Sequence, residues 1–279
     1  MTMSGAPTTQ PWCGTLDLVY AQRQGITQPI HNLALAPLKI QRPFHPEGAV
    51  CHSVLLHTAG GIVGGDRLTI RARLEPESHA LLTTAAASKL YRSNGFEAQQ
   101  RVHLDVGAGA CVEWLPQESI VFDGAVYRQD LRVELAPDAW WFGWELTRLG
   151  RSARGERFVQ GNWRSHTEVW RQGQPLWIDR QWLPGNPAWL DSPHGLHGRS
   201  LVGSFAVVGQ PIAPELVAEA RALWQGRGEV GVTRLMAGML CRYRGDSTEE
   251  ARAWMLRVWD LLRQALIQRP ACPPRVWPL

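Results

Sequence analysis

Carboxylates that stand singly among apolar residues are the main chemical feature of this sequence. Glu113, Glu145 and Asp179 each lie next to tryptophan or within two residues of it. In extended chain, alternation places Glu145 on the face of Trp141 and Asp179 on the face of Trp177. Burying an ionised carboxylate without a partner costs several kcal/mol, so each predicts an arginine partner, a metal ion or an internal wet passage. They do not form a recognisable general acid and base pair, because they lie on distant strands.

The string GGIVGGD at 60–66 has the glycine spacing of a phosphate-binding loop. That chemistry also requires lysine after the last glycine and a helix to follow, whereas here Asp66 follows and the chain continues as a strand. Two interpretations stay open. One is a tight turn that needs positive φ or close backbone approach, and the other is an aspartate presented to a cation.

Histidines form two groups. His52 and His57 lie in one predicted strand but on opposite faces, so they do not make one compact site there. His194 and His197 lie in a loop rich in glycine and proline near Asp191, where a metal site and plain surface are both open interpretations. Imidazole suits nickel or zinc. The chain has no G-x-S-x-G elbow, no H-E-x-x-H pair and no catalytic cysteine signature, so the sequence indicates no enzyme.

Composition excludes several classes of protein. The 279 residues are 44% hydrophobic and 19% charged, which is typical of a globular protein and not of a disordered one. The net charge is +4, but the basic residues are spread along the chain beside acids, so we expect no nucleic-acid binding. No apolar run is long enough for a membrane span, the first twenty residues do not resemble a signal peptide, and the five cysteines form no C-x-x-C. We therefore expect a cytoplasmic protein. Most of the 14 tryptophans must lie in a core or an interface.

Short strands are predicted from about residue 16 to 207, because apolar and polar positions alternate between glycine and proline turns. Strand and helical turn stay open for Thr83–Tyr91. The predicted strands include Cys51–Thr58, Leu68–Leu74, Arg101–Val106, Ala110–Leu115, Gln129–Leu135, Thr167–Arg171 and Leu176–Leu183.

Helical periodicity appears only near the end of the chain, in a part that we place at about 213–268. One helix is predicted at Pro214–Gln225. A stronger one begins at Ser247, which forms a capping-box pattern with Glu250. Nothing divides the chain, so we expect a single domain over 1–279, mainly β, with two late helices docked on the strands.

Several long strings resemble one protein family. They are PLKIQRPFHPEG (37–48), HTAGGIVGGD (57–66), TTAAASKLYRS (83–93), EWLPQESIVFDGA (113–125), GWELTRLGRSARGERF (143–158) and RPACPPRVW (269–277). The family is that of the urease accessory protein UreD, also called UreH. The resemblance covers nearly the whole chain from Leu16 onward.

The resemblance implies both a fold and a function. The fold is a β-helix-like stack of short strands with two C-terminal α-helices. The function is that of a non-enzymatic chaperone in nickel-dependent urease maturation, which binds apo-urease and UreF and recruits the GTPase UreG through UreF. No tightly bound cofactor is implied, only nickel in transit through an internal passage.

The resemblance also assigns the passage. Asp66, Glu145 and Asp179 would contact nickel, with Ser88 and Lys89 as further lining. The family often has Asp and Glu where this chain has Glu145 and Asp179. The exchange keeps the charge and changes the length of each side chain by one methylene. Two rival classes stay open. One is a carbohydrate-active β-helix enzyme using tryptophan platforms and carboxylates, and the other is a scaffold whose acids only pair with arginines.

Overall fold

Stacked β-strands form the body of the computed structural model, which describes residues 11–277. The strands are β1 (Cys13–Arg23), β2 (Ile26–Leu35), β3 (Leu38–Ile40), β4 (Cys51–His57), β5 (Arg67–Leu74), β6 (His79–Thr84), β7 (Ser88–Leu90), β8 (Ala98–Val106), β9 (Cys111–Trp114), β10 (Ser119–Val121), β11 (Val126–Leu135), β12 (Trp140–Leu149), β13 (Asn162–Arg171), β14 (Gln174–Pro184), β15 (Leu201–Val208), β16 (Glu229–Leu235) and β17 (Gly238–Gly245). The helices are α1 (Pro187–Asp191), α2 (Pro214–Ala222) and α3 (Thr248–Ile267), with a 3-10 turn at Ser152–Arg154.

Within residues 11–277 the strands form two sheets, and the chain alternates between them. The first sheet has the order β14-β13-β11-β8-β5-β1-β2, and the second has the order β16-β17-β15-β12-β9-β6-β4-β3 with β10 beside β12 and β7 beside β10. Successive strands pair in parallel in the middle of both sheets, as β5, β8, β11 and β13 do in the first. The result is a solenoid of about 4 turns, which confirms the predicted β-helix-like fold.

Short turns of matching geometry connect the first sheet to the second along one edge. Glu77, Gly109 and Asp138 occupy equivalent positions there, with φ of +61°, +66° and +59°. The turns also bond to one another, because Glu77 N donates to Ala108 O at 3.0 Å. This stacking fixes the register with which the strands enter the second sheet.

The core lies between the two sheets, with a second layer under the helices. In β5 the buried residues Leu68, Ile70 and Leu74 alternate with exposed arginines, as period-two burial requires. The other face of the second sheet packs against α3, where Trp254 and Trp259 are fully buried.

The predicted strands agree with the structure, and Thr83–Tyr91 becomes the end of β6 followed by β7. Two elements differ from the prediction. Residues 229–245, which we assigned to the helical part, form the hairpin β16–β17 and complete the second sheet. Helix α1 also forms inside the loop at 184–200, where Asn186 accepts a bond from Ala188 N and Pro187 occupies the first turn. Both elements are short, and the sequence patterns of the neighbouring longer strands and helices are stronger than theirs.

Helix α3 begins as predicted, since Ser247 Oγ accepts from Glu250 N at 3.1 Å. Its apolar stripe is core, because Trp254 and Val258 are fully buried. No helix among residues 11–277 has both the length and the apolarity needed to cross a membrane.

A buried ionic cluster fastens α3 to the strands. Arg263 is fully buried, and its Nη2 lies 2.7 Å from Glu47 Oε2 and 3.3 Å from Glu113 Oε1. His52 Nε2 lies 2.7 Å from Glu47, and His79 Nε2 lies 2.6 Å from Glu113. Burial pushes the pKa of both carboxyls up, but the histidine hydrogen bonds and Arg263 bring it below the ordinary value. The carboxylates of the cluster are therefore ionised although they lie in the protein interior.

Replacement of Arg263 by alanine should leave these buried carboxylates without a cationic partner and lower the free energy of unfolding by about 3 to 5 kcal/mol. Urea unfolding of the purified chain measures this loss. Arg257→Ala on the same helix is the control, because Arg257 is exposed and, among residues 11–277, donates only to Leu223 O. It should cost no more than about 1 kcal/mol. Equal losses in the two variants would contradict the role of the cluster.

Candidate functional site

A row of polar side chains crosses the inner face of the first sheet. Gln100 pairs in register with Gln129, Gln129 with Ser165, and Ser165 with Gln181. Several inward neighbours along these strands, such as Val102, Leu131 and Trp163, are buried apolar core residues. The solenoid thus brings together polar positions from four different strands.

A matching row crosses the inner face of the second sheet. Glu145 pairs in register with Ser204, and Ser204 with Arg242. The two sheets meet through these rows, because Ser165 Oγ donates to Glu145 Oε2 at 2.6 Å and Arg242 Nη2 donates to Asp179 Oδ1 at 2.6 Å. We call these residues the internal polar cluster: Gln100, Gln129, Ser165, Asp179, Gln181, Glu145, Ser204 and Arg242.

A cavity of about 50 Å³ lies between the sheets at one end of this cluster. Its walls include Gln129, Glu145, Ser88 and His57. That volume has room for a few water molecules. Burial lowers the pKa of His57 although Asp66 opposes the shift, and the His57 Nε2 atom is buried without a hydrogen-bond partner among the described residues.

The cavity adjoins a surface depression of about 280 Å³, which we call the mouth. The mouth is lined by Gly61, Ser88 and Lys89 among others, and it shares Ser88 and His57 with the cavity. Ser88 therefore lies where the two meet, and the exposed Lys89 lies at the outer side. Three of the five predicted residues, Ser88, Lys89 and Glu145, thus line the mouth, the cavity or both.

Glu145 has an unusual environment for a carboxyl group. Burial raises its pKa, hydrogen bonds from Ser165 and Thr147 oppose the shift, Asp179 raises it further and Arg242 lowers it. The net direction is upward. Unlike the carboxyls of the Arg263 cluster, Glu145 makes no ion pair within residues 11–277, so its charge is only weakly compensated.

Asp179 and Asp66 lie outside the walls of both cavities. Asp179 pairs with Arg242 and accepts from Gln181 Nε2 at 2.9 Å, as the arginine alternative predicts. Asp66 is fully buried and accepts from Trp12 N at 3.0 Å and Val63 N at 2.9 Å. These bonds fix the turn of the GGIVGGD string, in which Gly65 has φ +97°. The geometry fits the tight-turn interpretation of that string.

Two further groups in the described part of the chain bring a histidine, a cysteine and a glutamate within 4.8 Å. They are Glu47, His52 and Cys272, and His79, Cys111 and Glu113. In each group the histidine already bonds the glutamate, and Arg263 pairs with that glutamate. A cation there would face a guanidinium, so both groups fit a structural role.

His194 and His197 are exposed and remote from the cavity walls; His197 lies 3.4 Å from Glu229.

Sequence reasoning missed six members of the internal polar cluster, which are Gln100, Gln129, Ser165, Gln181, Ser204 and Arg242. Each is a polar residue at an inward position of an alternating strand, as Gln129 is between the buried residues Tyr127 and Leu131. That signal is readable in each strand separately. Their alignment is not, because it depends on the parallel register of strands distant in sequence.

Comparison with known proteins gives a consistent result. A family model described as UreD urease accessory protein matches residues 13–278. The urease accessory protein UreD of Nostoc punctiforme is 61% identical over 267 residues, which are 95% of this chain and 96% of that protein. The protein of the same name from Pseudomonas fluorescens is 42% identical over 271 residues, which are 96% of each chain.

The raised pKa of Glu145 predicts that this carboxylate opposes folding. Below its ordinary pKa of 4.5 the group is neutral in both states, and its cost appears as the pH rises through the raised value. Glu145→Gln should therefore be more stable than the unchanged chain at about pH 7, with a smaller difference at about pH 5. Urea unfolding at both pH values measures this.

The control for this measurement is Glu168→Gln on the outer face of the first sheet. Burial raises the pKa of Glu168, but hydrogen bonds from Trp170 and Arg132 outweigh it and the net shift is downward. Its replacement should thus not stabilise the chain at neutral pH. A Glu145→Gln variant that is no more stable at about pH 7 than the unchanged chain would contradict the prediction.

Proposed function

Because the chain belongs to the UreD family of urease accessory proteins, we propose that it gives nickel a route through its interior to apo-urease. Family membership supports a role in urease maturation. The nickel route is our inference, and the observation that supports it is that Ser88 lines both the surface mouth and the cavity between the sheets, whose wall also includes Glu145.

The donor atoms along this line suit an ion in transit. Ser88, Gln129 and Glu145 present isolated oxygens, whereas a closed cage of four nitrogen or sulfur ligands would retain nickel. Conduction requires binding that is favourable enough for entry and weak enough for release. Scattered oxygen ligands meet both conditions.

We infer that the protein acts within a complex of apo-urease, UreF and, through UreF, UreG. A groove of about 800 Å³ lies beside the mouth, lined by Ala85–Ala87, Arg252, Leu256 and Trp277. Residues 85–87 line the mouth as well. A second groove of about 740 Å³ shares Leu256 and continues toward α2. We propose this face, named the α3 face, for a partner, because a partner bound there would lie next to the mouth.

The rival interpretation as a carbohydrate-active enzyme has less support. Trp182 and Trp189 are exposed by 61% and 50% and would suit sugar platforms. The carboxylates are unsuited, however, since Glu145 lies in the interior and Asp179 is paired with Arg242. The relatives are also named accessory proteins.

The route predicts that Glu145→Leu blocks nickel transfer without loss of the complex. The variant is expressed with a urease operon, the complex is recovered by pull-down, and nickel per urease is measured by atomic absorption. Complex recovery should stay normal while nickel content falls several-fold. Glu134→Leu on the outer face of β11 is the matched control and should leave both unchanged. Fully nickel-loaded urease in the Glu145→Leu strain would refute the route.

The α3 face predicts a different pattern for Leu256→Asp. A carboxylate in this largely apolar groove should sharply lower recovery of the complex in the same pull-down. A partner bound there would have to desolvate the new charge, and the nearby Arg252 already pairs with Glu118. Met236→Asp, in the exposed turn between β16 and β17, serves as control and should bind normally; Met236 is 93% exposed. Unchanged recovery with Leu256→Asp would show that partners bind elsewhere.

A further inference from the structure

The cavity and the mouth have six lining residues in common, which we call the throat. Three of these side chains are apolar and three are polar: Leu55, Leu56, Ile62, His57, Thr84 and Ser88. An ion that moves from the mouth into the cavity passes between them. The ligands that the throat offers therefore bear on which ions enter by this path.

His57 is the one residue on these walls whose side chain prefers transition metals. Within residues 11–277, no other residue lining the cavity or the mouth carries an imidazole, a thiol or a thioether. The other metal ligands on the walls are oxygens of hydroxyl, amide and carboxylate groups, as in Ser88, Gln129 and Glu145. Oxygen ligands suit magnesium and calcium, whereas imidazole suits nickel and zinc. Oxygen ligands alone would thus separate nickel poorly from magnesium.

The imidazole of His57 is available to an ion. His57 ends β4, and its Nε2 atom is buried without a hydrogen-bond partner among the described residues. Burial lowers the pKa of His57, so at about pH 7 the ring is neutral and presents a lone pair at Nε2 when Nδ1 carries the proton. In the Arg263 cluster, by contrast, the Nε2 atoms of His52 and His79 already bond glutamates.

We propose that His57 selects nickel over magnesium and calcium at the throat. Its Nε2 atom binds a transition-metal ion that arrives from the mouth, water completes the coordination shell, and the ion then passes to the oxygen ligands of the cavity. One protein ligand does not retain the ion, since closed metal sites use four. This inference rests on the proposed nickel route, to which it adds the residue that discriminates between ions.

Metal titrations of the purified full chain, labelled at histidine and followed by NMR, report binding at each imidazole separately. The ring signals of His57 are identified by their absence in His57→Asn, or in His57→Gln if the first variant does not fold. Zn²⁺ is diamagnetic and shares the preference of nickel for imidazole, so it should shift the His57 Nε2 signal. Ni²⁺ is paramagnetic and should broaden that signal beyond detection. Mg²⁺ and Ca²⁺ should leave it unchanged, even in excess.

His31 is the matched reference, because it is an exposed histidine on β2. The His57 signal should respond at or below the Zn²⁺ and Ni²⁺ concentrations at which the His31 signal responds. A His57 signal that either ion leaves unchanged after His31 has responded would overturn the proposal, because Nε2 would then be closed to metal. A comparable shift with Mg²⁺ would overturn it as well, since the throat would not select.

These titrations contain no urease, which keeps the two proposals separable. A His57 signal that responds to Zn²⁺ and Ni²⁺ but not to Mg²⁺ supports the inference even if Glu145→Leu leaves urease fully loaded and the proposed route fails. Conversely, an unresponsive His57 overturns the selection at the throat, while a block of nickel transfer by Glu145→Leu would still support the route.

Discussion

Every second residue of the stacked strands points between the two sheets, and this constraint decides both the core and the polar interior. A polar residue at such a position in the middle of a sheet has little access to water, since its neighbours on both sides are paired strands. It must find a partner inside. Ser165 does so by donating to Glu145 of the opposite sheet, and Gln129 accepts a hydrogen bond from the Tyr127 hydroxyl at 3.4 Å.

The molecule contains two kinds of buried charge. In the Arg263 cluster each carboxylate has histidine and arginine partners, and the pKa of Glu113 is lowered. In the internal polar cluster Glu145 has neutral donors only, and its pKa is raised. The first arrangement joins segments and stabilises them. The second lowers the stability of the folded chain at neutral pH. A destabilising carboxylate on the wall of a cavity fits a functional role better than a structural one.

Strands and helix starts were predictable because they depend on local signals. Alternation marked β5, and Ser247 marked the start of α3. The stacking was not readable from composition or spacing, because the turns that superpose share backbone geometry and not residues: Glu77, Gly109 and Asp138 are chemically unlike but adopt similar positive φ. The prediction of a β-helix-like fold came from the resemblance to the UreD family. Single polar residues at inward positions of alternating strands could be read from the sequence, but the alignment of Gln129 with Ser165 could not, since it requires the register.

Arginine has two distinct roles here, and exposure separates them. Arg263 is fully enclosed between Glu47 and Glu113, so its guanidinium has no other place to go. Arg242 pairs with Asp179 at a similar distance, but more than a third of its side chain is exposed and its long stem can turn toward water. The same guanidinium–carboxylate contact is therefore enclosed in one place and partly open to water in the other. The partly open pair belongs to the internal polar cluster, which also contains Glu145 on the wall of the cavity.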